Sequence, residues 1–186
     1  MIPSINKPTP KEEYGIVLDF LQHGRSTSQN RNPIAQVLGE KYLMLLEVTP
    51  KKDVTLQPGE KVYIGADKRD KIHHILGRIK YSDLTQTAKM ELERLIENIV
   101  KEREKEFVNF FNKCGPISTR LHTLEILPGI GKKHMWDIIN ERKIKPFESF
   151  EDIKKRIALI PDPKQSIIKR IFEELEEKDK YKLFVG

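Results

Sequence analysis

Cysteine is almost missing from this chain. Cys114 is the single thiol among 186 residues, so no internal disulfide can form and no zinc or iron–sulfur site can be built from thiolates. A reducing, intracellular setting fits that usage. Long apolar runs are missing too. None approaches the roughly 20 residues of a membrane-spanning helix. The stretch Met1 to Pro10, with Pro3, Pro8 and Pro10, lacks the apolar core of a secretory signal and reads as an extended arm. A cytoplasmic protein is the expectation. Aromatic residues make up only 8%, which limits any broad base-stacking platform. Also absent are a Walker-type loop, a nucleophile elbow and a paired-carboxylate nuclease motif. Of the five histidines, only His73 and His74 are adjacent. In a strand they should point to opposite faces, so neither a metal centre nor another cofactor is expected from side chains.

What the chain does have is charge, 33% of its residues, with a net charge of +6. Such a balance favours polyanionic partners, although surface charge also serves stability. Hydrophobic residues at 38% are enough for one large core or two small ones.

Up to about Lys80 the pattern is one of strands and turns. Apolar runs at Tyr14 to Leu21, Ile34 to Leu38, Lys41 to Val48, Lys61 to Ile64 and Ile72 to Ile79 are separated by polar or glycine-containing turns. Strands of that length and spacing indicate a small barrel or sandwich. The longest polar loop, Gly24 to Asn32, carries Arg25 and Arg31 near its two ends. From Thr85 to Asn112 the apolar spacing turns helical, through Leu92, Leu95, Ile96, Ile99, Val100, Phe107, Phe110 and Phe111. Asp83 or Thr85 is placed to cap its start, and Gly115-Pro116 to end it. Shorter helices are expected at Ile117 to Ile126, Lys132 to Arg142, Ser149 to Ile157 and Lys164 to Lys178, with Tyr181 to Val185 adding a strand or packing down.

One string carries chemistry: Leu127-Pro128-Gly129-Ile130-Gly131-Lys132-Lys133-His134. Pro128 restricts its own backbone and that of Leu127, and the glycines permit left-handed or crowded geometry. The tight turn opens a helix whose first N–H groups have no partner within the helix, and the positive end of the helix dipole lies there. This is an anion site, with charge added by Lys132 and Lys133. It would grip a phosphate without reading a base. A second five-residue connection, Leu159-Ile160-Pro161-Asp162-Pro163, also lies between two helices but lacks glycine. From Cys114 to Phe172 the chain holds twelve basic and seven acidic residues, a surplus close to the whole net charge.

With its apolar–Pro–Gly–apolar–Gly hairpin between apolar-spaced helices, the segment Ile117 to Glu177 resembles the helix-hairpin-helix family. The second connection makes it look like the tandem form, with the second copy reduced to scaffold. The resemblance implies that N–H groups of Gly129, Gly131, Lys133 and His134 bind a phosphate. It implies that carbonyls of Glu125, Leu127 and Ile130 hold a monovalent cation. Met135 stands where the family often has a small residue. The order of domains further resembles an uncharacterised archaeal family of predicted RNA-binding proteins, a small β-barrel followed by a helix-hairpin-helix domain. That resemblance alone favours RNA over DNA.

The expected architecture is therefore α+β. An N-terminal small OB-like β-barrel (1–84) is followed by a connecting long helix (85–116) and a C-terminal all-α tandem helix-hairpin-helix domain (117–186). The expected function is non-catalytic binding of RNA or DNA. Its site is Gly129, Ile130, Gly131, Lys132, Lys133 and His134, with Arg25 and Arg31 as a possible second contact in the barrel. Two alternatives stand beside it. One is DNA repair, in which Lys133 matches the catalytic lysine of a base-excising branch and Glu151 or Asp152 its essential acid. The motif surrounding that acid does not match, and the branch's additional helical domain is missing. The other is a protein–protein adaptor using the Thr85 to Asn112 helix, which an exposed apolar stripe would support. Trp136 is expected to pack between helices.

Overall fold

A computed structural model describes residues 10–29 and 31–186. The arm expected at Met1 to Pro10 lies outside them except for its last residue. The chain divides into two compact units, one taking residues up to Glu93 together with Glu174–Gly186, the other Arg94–Glu173.

The first unit is a curled, five-stranded antiparallel half-barrel. Its strands are β1 (Tyr14–Leu21), β2 (Ile34–Gly39), β3 (Leu45–Pro50), β4 (Lys61–Tyr63) and β5 (Ile72–Arg78), in the order β4-β1-β2-β3-β5. Inward residues Val17, Val37, Leu46, Val48, Val62, Ile64 and Ile72 form the core, as the two-residue period of a strand requires. The barrel expected from the sequence is not closed. β4 has three residues and pairs with β1 alone, so β4 and β5 remain edges among the described residues. All six residues of central β2 are buried, Gln36 included. The Gln36 amide is satisfied by giving a hydrogen bond to the Asp83 carbonyl (2.9 Å) and accepting one from the Thr85 N–H (3.0 Å).

Thr85 caps the next helix, α1 (Gln86–Glu102), by accepting from the Ala88 N–H at 3.0 Å. The apolar stripe of α1, Ala88, Leu92, Leu95, Ile96, Ile99 and Val100, is buried, and Met90 is its exposed apolar side chain. The single helix expected from Thr85 to Asn112 is two. It breaks at Arg103, whose backbone leaves helical geometry, and α2 (Glu104–Lys113) follows. The Arg103 guanidinium fastens the start of α2 through Glu106 at 2.6 and 2.8 Å. The segment Tyr181 to Val185 forms no strand. It is held by the buried Glu174 carboxylate, which accepts N–H bonds from Leu183, Phe184 and Val185 at 2.8–2.9 Å.

In the second unit the helix expected at Ile117 to Ile126 is replaced. A short β-hairpin, β6 (Pro116–Ser118) and β7 (Leu121–His122), leads into a 3-10 turn at Thr123–Ile126. Pro116 takes the first position of β6, where a missing N–H is tolerated. The Thr123 hydroxyl and N–H both donate to the Gly115 carbonyl, at 2.5 and 3.2 Å, and close the hairpin. Three helices complete the unit: α3 (Lys132–Ile144), α4 (Phe150–Arg156) and α5 (Pro163–Leu175). Ser149 caps α4 by accepting from the Asp152 N–H at 3.0 Å. Phe107, Phe111, Leu124, Leu127, Ile138, Phe147, Ile153, Ile167 and Ile171 are buried in this unit.

Candidate functional site

The connection from Leu127 to Gly131 is a tight turn of known chemistry. Gly129 has φ +82°, and the Ile130 N–H donates to the Leu127 carbonyl at 3.1 Å. Pro then Gly at the two central positions, with positive φ at the second, defines a type II turn. Gly129 has no room to spare either, since a Cβ there would lie 2.9 Å from Pro161 Cγ. Pro161 belongs to the second connection, so the two connections pack on each other. The buried Ser166 of α5 donates its hydroxyl to the Pro128 carbonyl at 2.9 Å and buttresses the turn from below.

Gly131 is the N-cap of α3, extended at φ −92°, with no side chain to cap the helix. A Cβ at Gly131 would meet nothing within 4 Å. The first turn of α3 contains no acidic residue. Lys132 and Lys133 are exposed there and His134 is half-buried. The orphan N–H groups thus open toward solvent with two ammonium groups beside them. Ile130 is buried and anchors the turn instead of facing a ligand. Of the three expected cation-binding carbonyls, that of Glu125 precedes the turn, and those of Leu127 and Ile130 belong to its first and last residues. The Leu127 oxygen already accepts the turn's own hydrogen bond.

The entry to the turn is built on His122. Its Nδ1 accepts from the Leu124 N–H at 3.1 Å, while the Glu125 carboxylate accepts from the His122 N–H at 2.9 Å. The imidazole is therefore neutral in this role. Burial, then the Arg142 guanidinium, hold its pKa below the usual 6.5.

Part of the positive charge that the sequence concentrates here has structural work. Arg142 donates to the Phe111 and Cys114 carbonyls at 2.9 and 2.8 Å and ties down the end of α2. Arg156 binds the Glu141 and Lys145 carbonyls, both at 2.7 Å, and lies over the Phe147 ring. Arg170 is buried, 1% exposed. By contrast Arg120, Lys132 and Lys133 are exposed, and none has an ion-pair partner among the described residues.

Trp136 is not packed between helices. It is 57% exposed and lines a cleft of about 580 Å³ between the β6–β7 hairpin and α3, with Arg120, His122, Glu125 and Lys132. The helical expectation for Ile117 to Ile126 hid this cleft. Pro116 followed by the β-branched Ile117 and Thr119 was the signal available for it.

Arg25 and Arg31 belong to the first unit. Arg25 pairs with Glu47 at 2.5 Å, and Arg31 is exposed. Arg25 lines a separate cleft of about 500 Å³ with Glu47, His73, His74 and Leu76. His73 and His74 both line that cleft. The register between β3 and β5 slips by one residue at His73 and again at Leu76. Among the described residues no three His, Cys, Asp or Glu side chains converge as a metal would require, and no helix is long and apolar enough to cross a membrane.

Residues 11–186 match the model of a family described as protein of unknown function, DUF655. The chain belongs to this family. It is 51% identical over 185 residues to the uncharacterized protein MJ0038 of Methanocaldococcus jannaschii, covering 98% of this chain and 84% of that one. Among solved structures it is similar to the family member Af1531 of Archaeoglobus fulgidus. That chain is 47% identical with a TM-score of 0.82, and the match covers 94% of this chain and all of that one. The family's members thus include archaeal proteins with this α+β fold.

Proposed function

We propose that this DUF655 protein is a non-catalytic nucleic-acid-binding protein that grips a backbone phosphate at the start of α3, through the hairpin Leu127 to Gly131. The observation that carries the reading is the open N-terminus of α3. A glycine N-cap leaves its N–H groups uncapped by any side chain, two exposed lysines flank it, and no acidic residue enters its first turn. N–H groups and the helix dipole together favour an anion. The type II turn, the packing of Pro161 on Gly129 and the Ser166 buttress hold that geometry before a ligand arrives. The pairing of the two connections is what a tandem helix-hairpin-helix domain would have, although the first helix of the motif is here only a 3-10 turn. RNA is preferred over DNA on the resemblance to archaeal predicted RNA-binding proteins. A cytoplasmic location goes with that role. The adaptor alternative finds no free apolar stripe on α1, where that surface is buried.

The test is fluorescence anisotropy with matched single- and double-stranded RNA and DNA over a salt titration. Affinity should fall steeply as salt rises, because each phosphate contact releases counterions. Gly131→Val fits the extended backbone and the open space at that position, so it should fold as the wild type does and lose binding. Equal binding by the variant would place the contact elsewhere.

A further inference from the structure

We infer that the cleft between the β6–β7 hairpin and α3 holds an unpaired nucleobase stacked on Trp136, so that the ligand is a single-stranded or looped-out segment and not a continuous duplex. This rests on the phosphate-clamp reading and names its ligand class.

Trp136 presents a 57% exposed indole face and has no aromatic or cationic partner among the described residues. Its position relates it to the clamp. Lys132, Met135, Trp136 and Ile139 follow the spacing of one helical face, and all four line the cleft. Lys132 therefore serves both places, its backbone in the open first turn and its side chain at the lip of the cleft. Trp136 lies five residues beyond the N-cap, about 7.5 Å along the axis at the helical rise, which is the scale of one nucleotide. A phosphate held on the first turn would leave its own or the next base over the indole.

Charge complementarity points to the same occupant. Arg120 at the hairpin tip and Lys132 on α3 are the cations of the cleft, on opposite walls, without ion-pair partners among the described residues. The one acidic lining residue, Glu125, is engaged by the His122 N–H. An apolar floor with cations at the rim suits a flat, uncharged ring attached to a phosphodiester. Every base offers such a face, so the cleft would select unpaired strands with little preference among bases.

Trp136 is the only tryptophan in the chain, so its emission reports on this cleft alone. The full-length protein would be titrated with short oligouridylate, with an abasic strand of equal length and with a duplex, following anisotropy and tryptophan emission together. The inference predicts that oligouridylate binds and quenches the indole, while the abasic strand binds through its phosphates without quenching. Trp136→Ala should weaken oligouridylate at least about fivefold, the lower end of one base–aromatic stack, and leave the abasic strand unaffected. Trp136→Phe should recover part of the loss. Oligouridylate binding with unchanged emission, and with equal affinity for Trp136→Ala, would overturn the stack while leaving the clamp intact. Absence of binding by every strand would overturn both. Thermal melts of the two variants guard against a folding defect, which is not expected at an exposed position.

Discussion

The second unit contains two connections that lead into helices, residues 127–131 before α3 and 157–162 before α5, and they end in opposite ways. In the first, Gly131 caps α3 with no side chain, and the N–H groups of the first turn face solvent beside Lys132 and Lys133. In the second, Asp162 stands at the corresponding place before α5. Its carboxylate accepts from the Lys164 N–H at 2.9 Å and the Gln165 N–H at 3.4 Å. The backbone roles match, because the Met135 N–H donates to the Gly131 carbonyl at 2.9 Å and the Ser166 N–H to the Asp162 carbonyl at 3.0 Å. One helix start thus carries its own anion and the other leaves the position open. The turns before them differ as well. The first places glycine at positive φ, whereas the second places an exposed leucine, Leu159, at φ +58°.

The largest effect expected from this comparison is on stability. Gly129→Ala forces a Cβ into left-handed backbone and against Pro161. Left-handed geometry costs about 1–2 kcal/mol; with the displacement of Pro161, a loss of about 2 kcal/mol or more should appear in denaturant unfolding. A wild-type curve for this variant would contradict the described turn. Leu159→Gly should act in the other direction. The side chain is 90% exposed and gives up almost no packing, so relief of the strained φ should add about 0.5–1 kcal/mol. A loss of stability there would mean that Leu159 has a packing role the structure does not contain.

A smaller effect concerns pH. The 3-10 turn before the first connection depends on a neutral imidazole at His122, whereas α4, before the second, depends on the Ser149 hydroxyl. The folded-state pKa of His122 is lowered, first by burial and then by Arg142. Its contribution is therefore complete above pH 6.5, begins to fall as the unfolded chain takes up a proton near that value, and is lost through the lower folded value. His122→Asn should flatten this part of the stability–pH curve. An identical pH dependence in the variant would show that the imidazole is not the titrating group.

The legible parts of the sequence were those governed by local chemistry. The strands of the first unit, the Thr85 cap and the Pro128-Gly129 turn all follow from residue types at fixed spacing. The break at Arg103 has no Gly or Pro to announce it, and an Arg103–Glu106 pair stands beside it. The β6–β7 hairpin was hidden because Ile117, Leu121 and Leu124 happen to keep helical spacing, while the Thr123–Gly115 hydrogen bonds close a hairpin instead. The open side of the half-barrel depends on strand length, which alternation alone does not reveal. The exposure of Trp136 follows from that same hidden hairpin.

Phosphate binding at the open N-cap of α3 can be tested by a substitution that the second connection suggests. Gly131→Asp places at α3 the carboxylate that Asp162 provides at α5. As an N-cap, Asp should change helix stability by only a few tenths of a kcal/mol relative to Gly, so the melt should stay close to that of the wild type. Anisotropy with single-stranded RNA at low salt should then show binding by the wild type and its loss, by tenfold or more, in the variant, as the new carboxylate occupies the N–H groups and repels the backbone. Undiminished binding by a folded Gly131→Asp protein would contradict phosphate binding there.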